Sequence, residues 1–132
     1  MVGPDVYVAV VPLFPDAPYD YSATASCLVF TAGACPLDEQ GRIVAPGDRE
    51  AQAARAADNL LAALDEHGVG AKSLLKSTVY VVAEERGDLL RVWNVVSARL
   101  GRAPSTLLGV SLLGYPEQLV EIEAVAVAAS DP

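Results

Sequence analysis

The chain has 132 residues, of which 52% are hydrophobic, so it can bury the core of one compact domain and is not an intrinsically disordered segment. Its 17 acidic and 9 basic residues give a formal net charge of -8, which repels a phosphate backbone and excludes nucleic acid as an expected partner. No apolar run reaches the roughly 18 residues that span a bilayer, and the opening MVGPDVYVAVVPLFPDAP has no Lys or Arg before its apolar stretch, so neither a membrane span nor a signal peptide is expected and the protein reads as cytoplasmic.

In chain order, Val6–Val11 is β-rich and stops at Pro12. Tyr21–Ala25 and Cys27–Ala32 read as two short strands joined near Ser26, and Pro36–Pro46 is a loop rich in turn formers. Asp48, just after Pro46-Gly47, is a good N-cap for a first helix. Ala53, Ala56, Ala57, Leu60, Leu61 and Leu64 follow the spacing of one buried face, and the alanines imply close approach to a sheet. Gly68 suits the position after the helix end. Leu74–Val82 favours a strand. Asp88 can cap a second helix whose buried stripe is Leu89, Val92, Trp93, Val96 and Leu100, with Gly101 ending it. Thr106–Leu112 and Leu119–Ala128 are the last strands, and alternation in the latter puts Val120, Ile122, Ala124 and Ala126 on one face and Glu121, Glu123, Val125 and Val127 on the other.

No repeat or linker divides residues 1–132, so a single α+β domain is expected: a mixed sheet with both helices packed on one face. The other face keeps apolar residues such as Val125 and Val127, and a second apolar face predicts oligomerisation. Cys27 and Cys35 form no CxxC or Cys/His pattern, so no metal is expected, and both read as reduced thiols. The one histidine, His67, sits at a helix end, where it suits the dipole.

Several segments, taken in order, resemble proteins of the RidA/YjgF family over nearly the whole chain. Ala17-Pro18-Tyr19 is similar to the family's APYS entry, Leu28-Val29-Phe30-Thr31-Ala32-Gly33-Ala34 to its LLFVSGQ strand, and Cys35-Pro36-Leu37-Asp38 to the xPLD that follows. Gln52, Asn59-Leu60 and Asn94 fall where the family's helices carry Q, NL and a recurrent Asn. Lys76-Ser77-Thr78-Val79-Tyr80 resembles the VKTTVFL strand, and Val120-Glu121-Ile122-Glu123-Ala124-Val125-Ala126-Val127 the C-terminal VEIEAIAV. The resemblance implies a chorismate-mutase-like fold, a homotrimer, and small-molecule clefts between subunits near Tyr19, Gly33, the strand after residue 104, and Glu121. It also implies hydrolysis of reactive imines or enamines, which pyridoxal-phosphate enzymes form from amino acids, to a keto acid and ammonia, with no cofactor or metal. In that chemistry an arginine grips the substrate carboxylate at two points, and a water held by a glutamate attacks the imine carbon.

The family's arginine lies in a P-x-R-[ST] segment. Here the segment reads Arg102-Ala103-Pro104-Ser105-Thr106-Leu107-Leu108-Gly109-Val110, and alignment on Val110 puts Ser105 in the arginine's place. Serine brings no charge, and losing the two-point grip costs about 2–5 kcal/mol when the partner is buried. Ala34 and Ala32 replace the family's Gln and Ser, so the lining is less polar throughout. Arg102 reads as a solvated cation with a swing into the cleft as its other reading; the preferred account is a substrate without a carboxylate, met by Ser105 and Thr106. Glu121 matches the water-holding glutamate. Gly33, Ala34, Cys35, Tyr19 and Tyr115 are the other candidate lining residues, with Cys35 an inert buried thiol in its plainer reading. Two functions follow: an enzyme acting on a reactive imine, enamine or enol with a water on Glu121, or a non-catalytic trimer that binds a metabolite or a partner protein through the same clefts. A ribonuclease fits poorly with the acidic balance.

Overall fold

The computed structural model describes residues 10–128. Five strands and two α-helices follow in the order β1 (Ser22–Ala25), β2 (Leu28–Thr31), α1 (Arg49–Asp65), β3 (Leu74–Val82), α2 (Arg86–Leu100), β4 (Ser105–Val110) and β5 (Val120–Val127), with a single 3-10 turn at Ala71–Ser73 before β3. The spatial order is β1-β2-β5-β3-β4. β3 and β4 are parallel, which requires the α2 crossover, and the other neighbours are antiparallel. The β1–β2 hairpin turns at Ser26, which takes a positive φ of 53°. The sheet is therefore mixed, and the α+β expectation holds. The strand expected at Val6–Val11 lies mostly outside the described residues; Val10 and Val11 belong to no regular element.

Both helices cover one face. Ala53, Ala56, Ala57, Leu60 and Leu64 of α1 and Val92, Val96 and Leu100 of α2 share a core with Val29, Val79, Val81, Val120, Ile122, Ala124 and Ala126 of the sheet. Small side chains at Ala53, Ala56 and Ala57 let α1 lie close on β5 and β2, and all three are fully buried. Leu61 is only half-buried at the margin of this stripe. The opposite face is bare: Phe30, Leu108 and Val127 are among its exposed large hydrophobics, with Val125 between them half-buried. The alternation expected for β5 is observed along its whole length.

Asp48 caps α1 as expected, accepting the Ala51 N–H at 3.0 Å. The second helix starts earlier than expected. Its N-cap is Glu85, and Asp88 is the third helical residue, closing a capping box from inside. Asp88 accepts the N–H groups of Glu84 at 2.9 Å and Glu85 at 3.3 Å and pairs with Arg49 and Arg91. β4 ends at Val110, not Leu112, because its parallel partner β3 ends at Val82 in register with it. His67 does not serve the helix carbonyls with its ring; Nε2 shares a hydrogen bond with the Ser22 hydroxyl at 2.6 Å, tying β1 to the end of α1.

The Glu84 N–H, helped by Glu85 N–H and Arg49, holds the Asp88 carboxyl below its ordinary 3.8 against the opposing effect of burial. A depressed folded-state pKa stabilises above the unfolded value and is lost as pH falls through and below it. Asp88→Asn is accordingly expected to lower the thermal midpoint at pH 7, with the difference from wild type shrinking below pH 3.8. Thermal melts at the two pH values check this, and an equal deficit at both would contradict it.

Candidate functional site

Glu121 stands on the bare face near the start of β5. Beyond β2 the chain bends back onto this strand: Ala34 N–H donates to Ile122 O at 2.6 Å and Ile122 N–H to Ala34 O at 3.1 Å. That bridge sends Ala34 into the core and leaves Gly33 and Cys35 on either side of Glu121. Gly33 leaves room for Glu121 as it is seated, since a Cβ there would sit 2.6 Å from Glu121 Cδ and the carboxylate would have to move. Real Cβ atoms essentially never come within 3.0 Å of a heavy atom.

The carboxylate is held on one side. Oε1 accepts from Gln118 Nε2 at 3.1 Å and from the Cys35 thiol at 3.4 Å. Oε2 has no hydrogen-bond partner, and Glu121 belongs to no ion pair, among the described residues. Gln118 is itself 3% exposed and fixed by the Tyr115 N–H, which donates to its Oε1 at 3.1 Å. The Tyr19 and Tyr115 hydroxyls are 3.4 Å apart, and the Tyr19 and Tyr21 rings meet edge to face at 5.6 Å. Burial, and next the Glu121 charge, push the Cys35 thiol up to about 12, so it is a neutral donor and not a nucleophile at ordinary pH. Burial is also the main cause that raises the phenols of Tyr19 and Tyr21.

Two buried amides on α1 position this cluster. Asn59 donates to Cys35 O at 2.8 Å and to Leu37 O at 2.9 Å. About two helical turns earlier, Gln52 donates to Glu117 O at 3.0 Å and accepts the Leu119 N–H at 2.7 Å. The first clamps the loop carrying Cys35, the second the loop carrying Gln118. Sequence reasoning did not find Gln118. A polar residue in a turn three positions before Glu121 has no pattern of its own, and only its burial betrays a role.

Tyr19, Gly33, Cys35, Tyr115 and Glu121 are thus brought together in one chain. Ser105, Thr106 and Arg102 are not. Ser105 turns toward the helix side, where its hydroxyl bonds that of buried Ser77 and donates to Ala103 O at 3.1 Å. Thr106 shares Glu121's face, but the register puts it two strands and two residues away, about 12 Å. It accepts from Lys76 Nζ at 2.6 Å. Arg102 is exposed beyond the far end of β4. Ala34 contributes its backbone only, because its methyl packs in the core. A half-open pocket of about 220 Å³ lined by Leu61, Val69 and Arg99 lies away from this cluster. Among the described residues no group of three or more His, Cys, Asp or Glu side chains could hold a metal ion, and no helix is long and apolar enough to cross a membrane.

The family model described as Endoribonuclease L-PSP matches residues 12–128. The chain belongs to this family, that of YjgF and RidA. A RutC family protein of Synechocystis is 33% identical over 116 residues, covering 86% of this chain and 88% of the relative. Among solved YjgF/RidA folds, a Thermotoga maritima protein is 30% identical with a TM-score of 0.77, covering 92% of this chain and 94% of its own. The Escherichia coli protein TdcF, solved with bound serine, is 25% identical with a TM-score of 0.76, covering 91% and 94%. The mixed sheet with two helices on one face is the fold of these family members.

Asn59→Leu leaves the Leu37 carbonyl without its side-chain donor and Cys35 O with the Leu37 N–H alone, and is expected to cost about 1–3 kcal/mol, read as a lower midpoint in urea unfolding. A second measurement addresses Cys35. Peptide mapping after iodoacetamide treatment should find it unmodified at pH 8, and Glu121→Gln, by removing the neighbouring charge, should bring its alkylation to lower pH.

Proposed function

We propose that this protein is a small-molecule enzyme that hydrolyses or tautomerises a reactive imine, enamine or related intermediate, in clefts completed between the subunits of a homotrimer. The observation that carries the reading is the one-sided seating of Glu121. Oε1 is committed to Gln118 and Cys35, and Oε2 remains available to hold a water. In hydrolysis Oε2 takes a proton from that water as its oxygen bonds the imine carbon. The C=N electron pair moves to nitrogen, which takes up a proton. The resulting carbinolamine then loses ammonia and leaves a carbonyl. Positioning dominates such a reaction, and the clamps from Asn59 and Gln52 supply it.

Two features support a cleft that a second copy completes. Thr106 and Glu121 of one chain are about 12 Å apart, too far to meet one small substrate. The face that carries both also leaves Phe30, Leu108 and Val127 exposed, which favours burial against another copy. The serine bound by TdcF supports a ligand of amino-acid size. The net charge of -8 weighs against RNA.

A non-catalytic metabolite-binding trimer is the second reading. It is favoured by the absence of an arginine in Pro104-Ser105-Thr106: Ser105 turns to Ser77 on the helix side, and Thr106, on Glu121's face, brings no charge. Turnover separates the two. Ring opening of 1-pyrroline is expected for wild type, with ammonia release from the carboxylate-bearing imines that an amino-acid oxidase makes in situ measured beside it as the second substrate type. Glu121→Gln should lose about 10²–10⁴-fold in kcat while sedimenting as wild type does. Wild-type silence on both substrate types would leave the binding reading.

A further inference from the structure

We propose that the Glu121 site selects a ligand bearing a positively charged nitrogen and no carboxylate: a protonated imine, or an amine of the same shape. The inference rests on the site proposed above and names its substrate class.

The argument is a charge inventory. The groups gathered around Gly33 are one carboxylate, Glu121, one thiol, Cys35, and three phenols, Tyr19, Tyr21 and Tyr115. Every one is neutral or negative. Glu121 is half-buried, and its two hydrogen bonds come from neutral donors, a carboxamide and a thiol. Neutral donors orient a carboxylate but leave its charge in place. A half-buried anion without a counter-ion favours a cation placed beside it, and it repels a second carboxylate at the same distance just as strongly.

Six of the nine cations, Arg42 on Asp38 among them, have partners away from the site, and Arg102 is exposed before the start of β4. Lys76, on the same sheet face, donates to Thr106, and in register it lies four residues along β3 from the partner of Glu121, about 13 Å away. Arg55 is used on Asn59 Oδ1 and Pro12 O, Arg49 on Val82 O and Asp88, and Arg91 and Arg99 on acids of the helices. Burial is the main cause that raises Cys35, Tyr19 and Tyr21, and no cation is among the groups that offset it.

The aromatic rim adds shape to charge. Tyr19 and Tyr21 meet edge to face, so one ring face can stay open to a flat or cyclic group, and ring faces attract cations. A protonated imine carbon is also the better electrophile. The carboxylate that stabilises the charged nitrogen is the one that holds the water, so recognition and reaction use the same Oε2.

Three five-membered rings test the proposal without requiring chemistry: pyrrolidine as the cation, proline as the zwitterion, and cyclopentanecarboxylate as the anion. The readout is the saturable rise in melting temperature of the full chain at pH 7. Pyrrolidine is expected to stabilise at concentrations at least tenfold below proline, and cyclopentanecarboxylate not at all. Glu121→Gln, with its fold checked by circular dichroism, should abolish the preference for pyrrolidine. Tyr19→Leu should weaken pyrrolidine by about fivefold. Equal or tighter binding of either carboxylate would overturn the proposal and would mean that a cation from a second copy, such as Lys76, completes the site. Absence of stabilisation by pyrrolidine would overturn it too. Selective pyrrolidine binding with no turnover of any imine would keep this inference and remove the catalytic reading. Turnover without that selectivity would do the reverse.

Discussion

The Asn59 carboxamide gives both of its N–H bonds to main-chain carbonyls, those of Cys35 and Leu37, inside the protein. Those carbonyls belong to the segment that leaves β2 and folds back on β5, and no sheet ladder is available to satisfy them there. With Asn59 in place the segment can bury, and Ala34 can bridge Ile122. Gly33 and Cys35 are then fixed beside Glu121. Gln52 performs the same service for the loop before β5 through Glu117 O and Leu119 N–H. α1 is therefore more than a cover for the sheet. It lies close on the strands because its inner face is alanine-rich, and that closeness puts two short amides within reach of two loops that the strands alone would leave loose.

The site built this way is electrostatically unbalanced. Half-burying a carboxylate is costly unless something stabilises the charged form. Gln118 and Cys35 do part of this, as neutral hydrogen-bond donors, and neither cancels the charge. A member of this family that faces an amino-acid-derived carboxylate needs a fixed cation at the site. Here Ser105 is bonded to Ser77 on the other side of the sheet, and Thr106, on Glu121's face, brings no charge. These changes point in the same direction, toward a substrate whose charge is opposite to that of an acid.

The sheet has helices on one face only, and the strand alternation leaves Phe30, Leu108 and Val127 on the other. The same face carries Glu121 and, well separated from it, Thr106. Apolar surface and catalytic candidates thus share one surface. In the proposed assembly, covering the first would also close the cleft around the second.

Much of this was decided by sequence alone. The 3.6-residue and two-residue periodicities located both helices and the strands β3 and β5, because burial on one side forces apolar residues to repeat at the element's own period. Ordered motif matches identified the family, and they marked Tyr19, Gly33, Cys35 and Glu121 as neighbours although they span a hundred residues of chain. What periodicity could not supply were contacts between segments that have no period. Gln118 enters the site from a turn, Asp88 caps its helix from the third position and not from the first, and Ser105 turns to Ser77 because the parallel register of β3 and β4 puts the two hydroxyls on one face. Such contacts depend on where two distant backbones come to lie, and only the packed tertiary structure sets that distance.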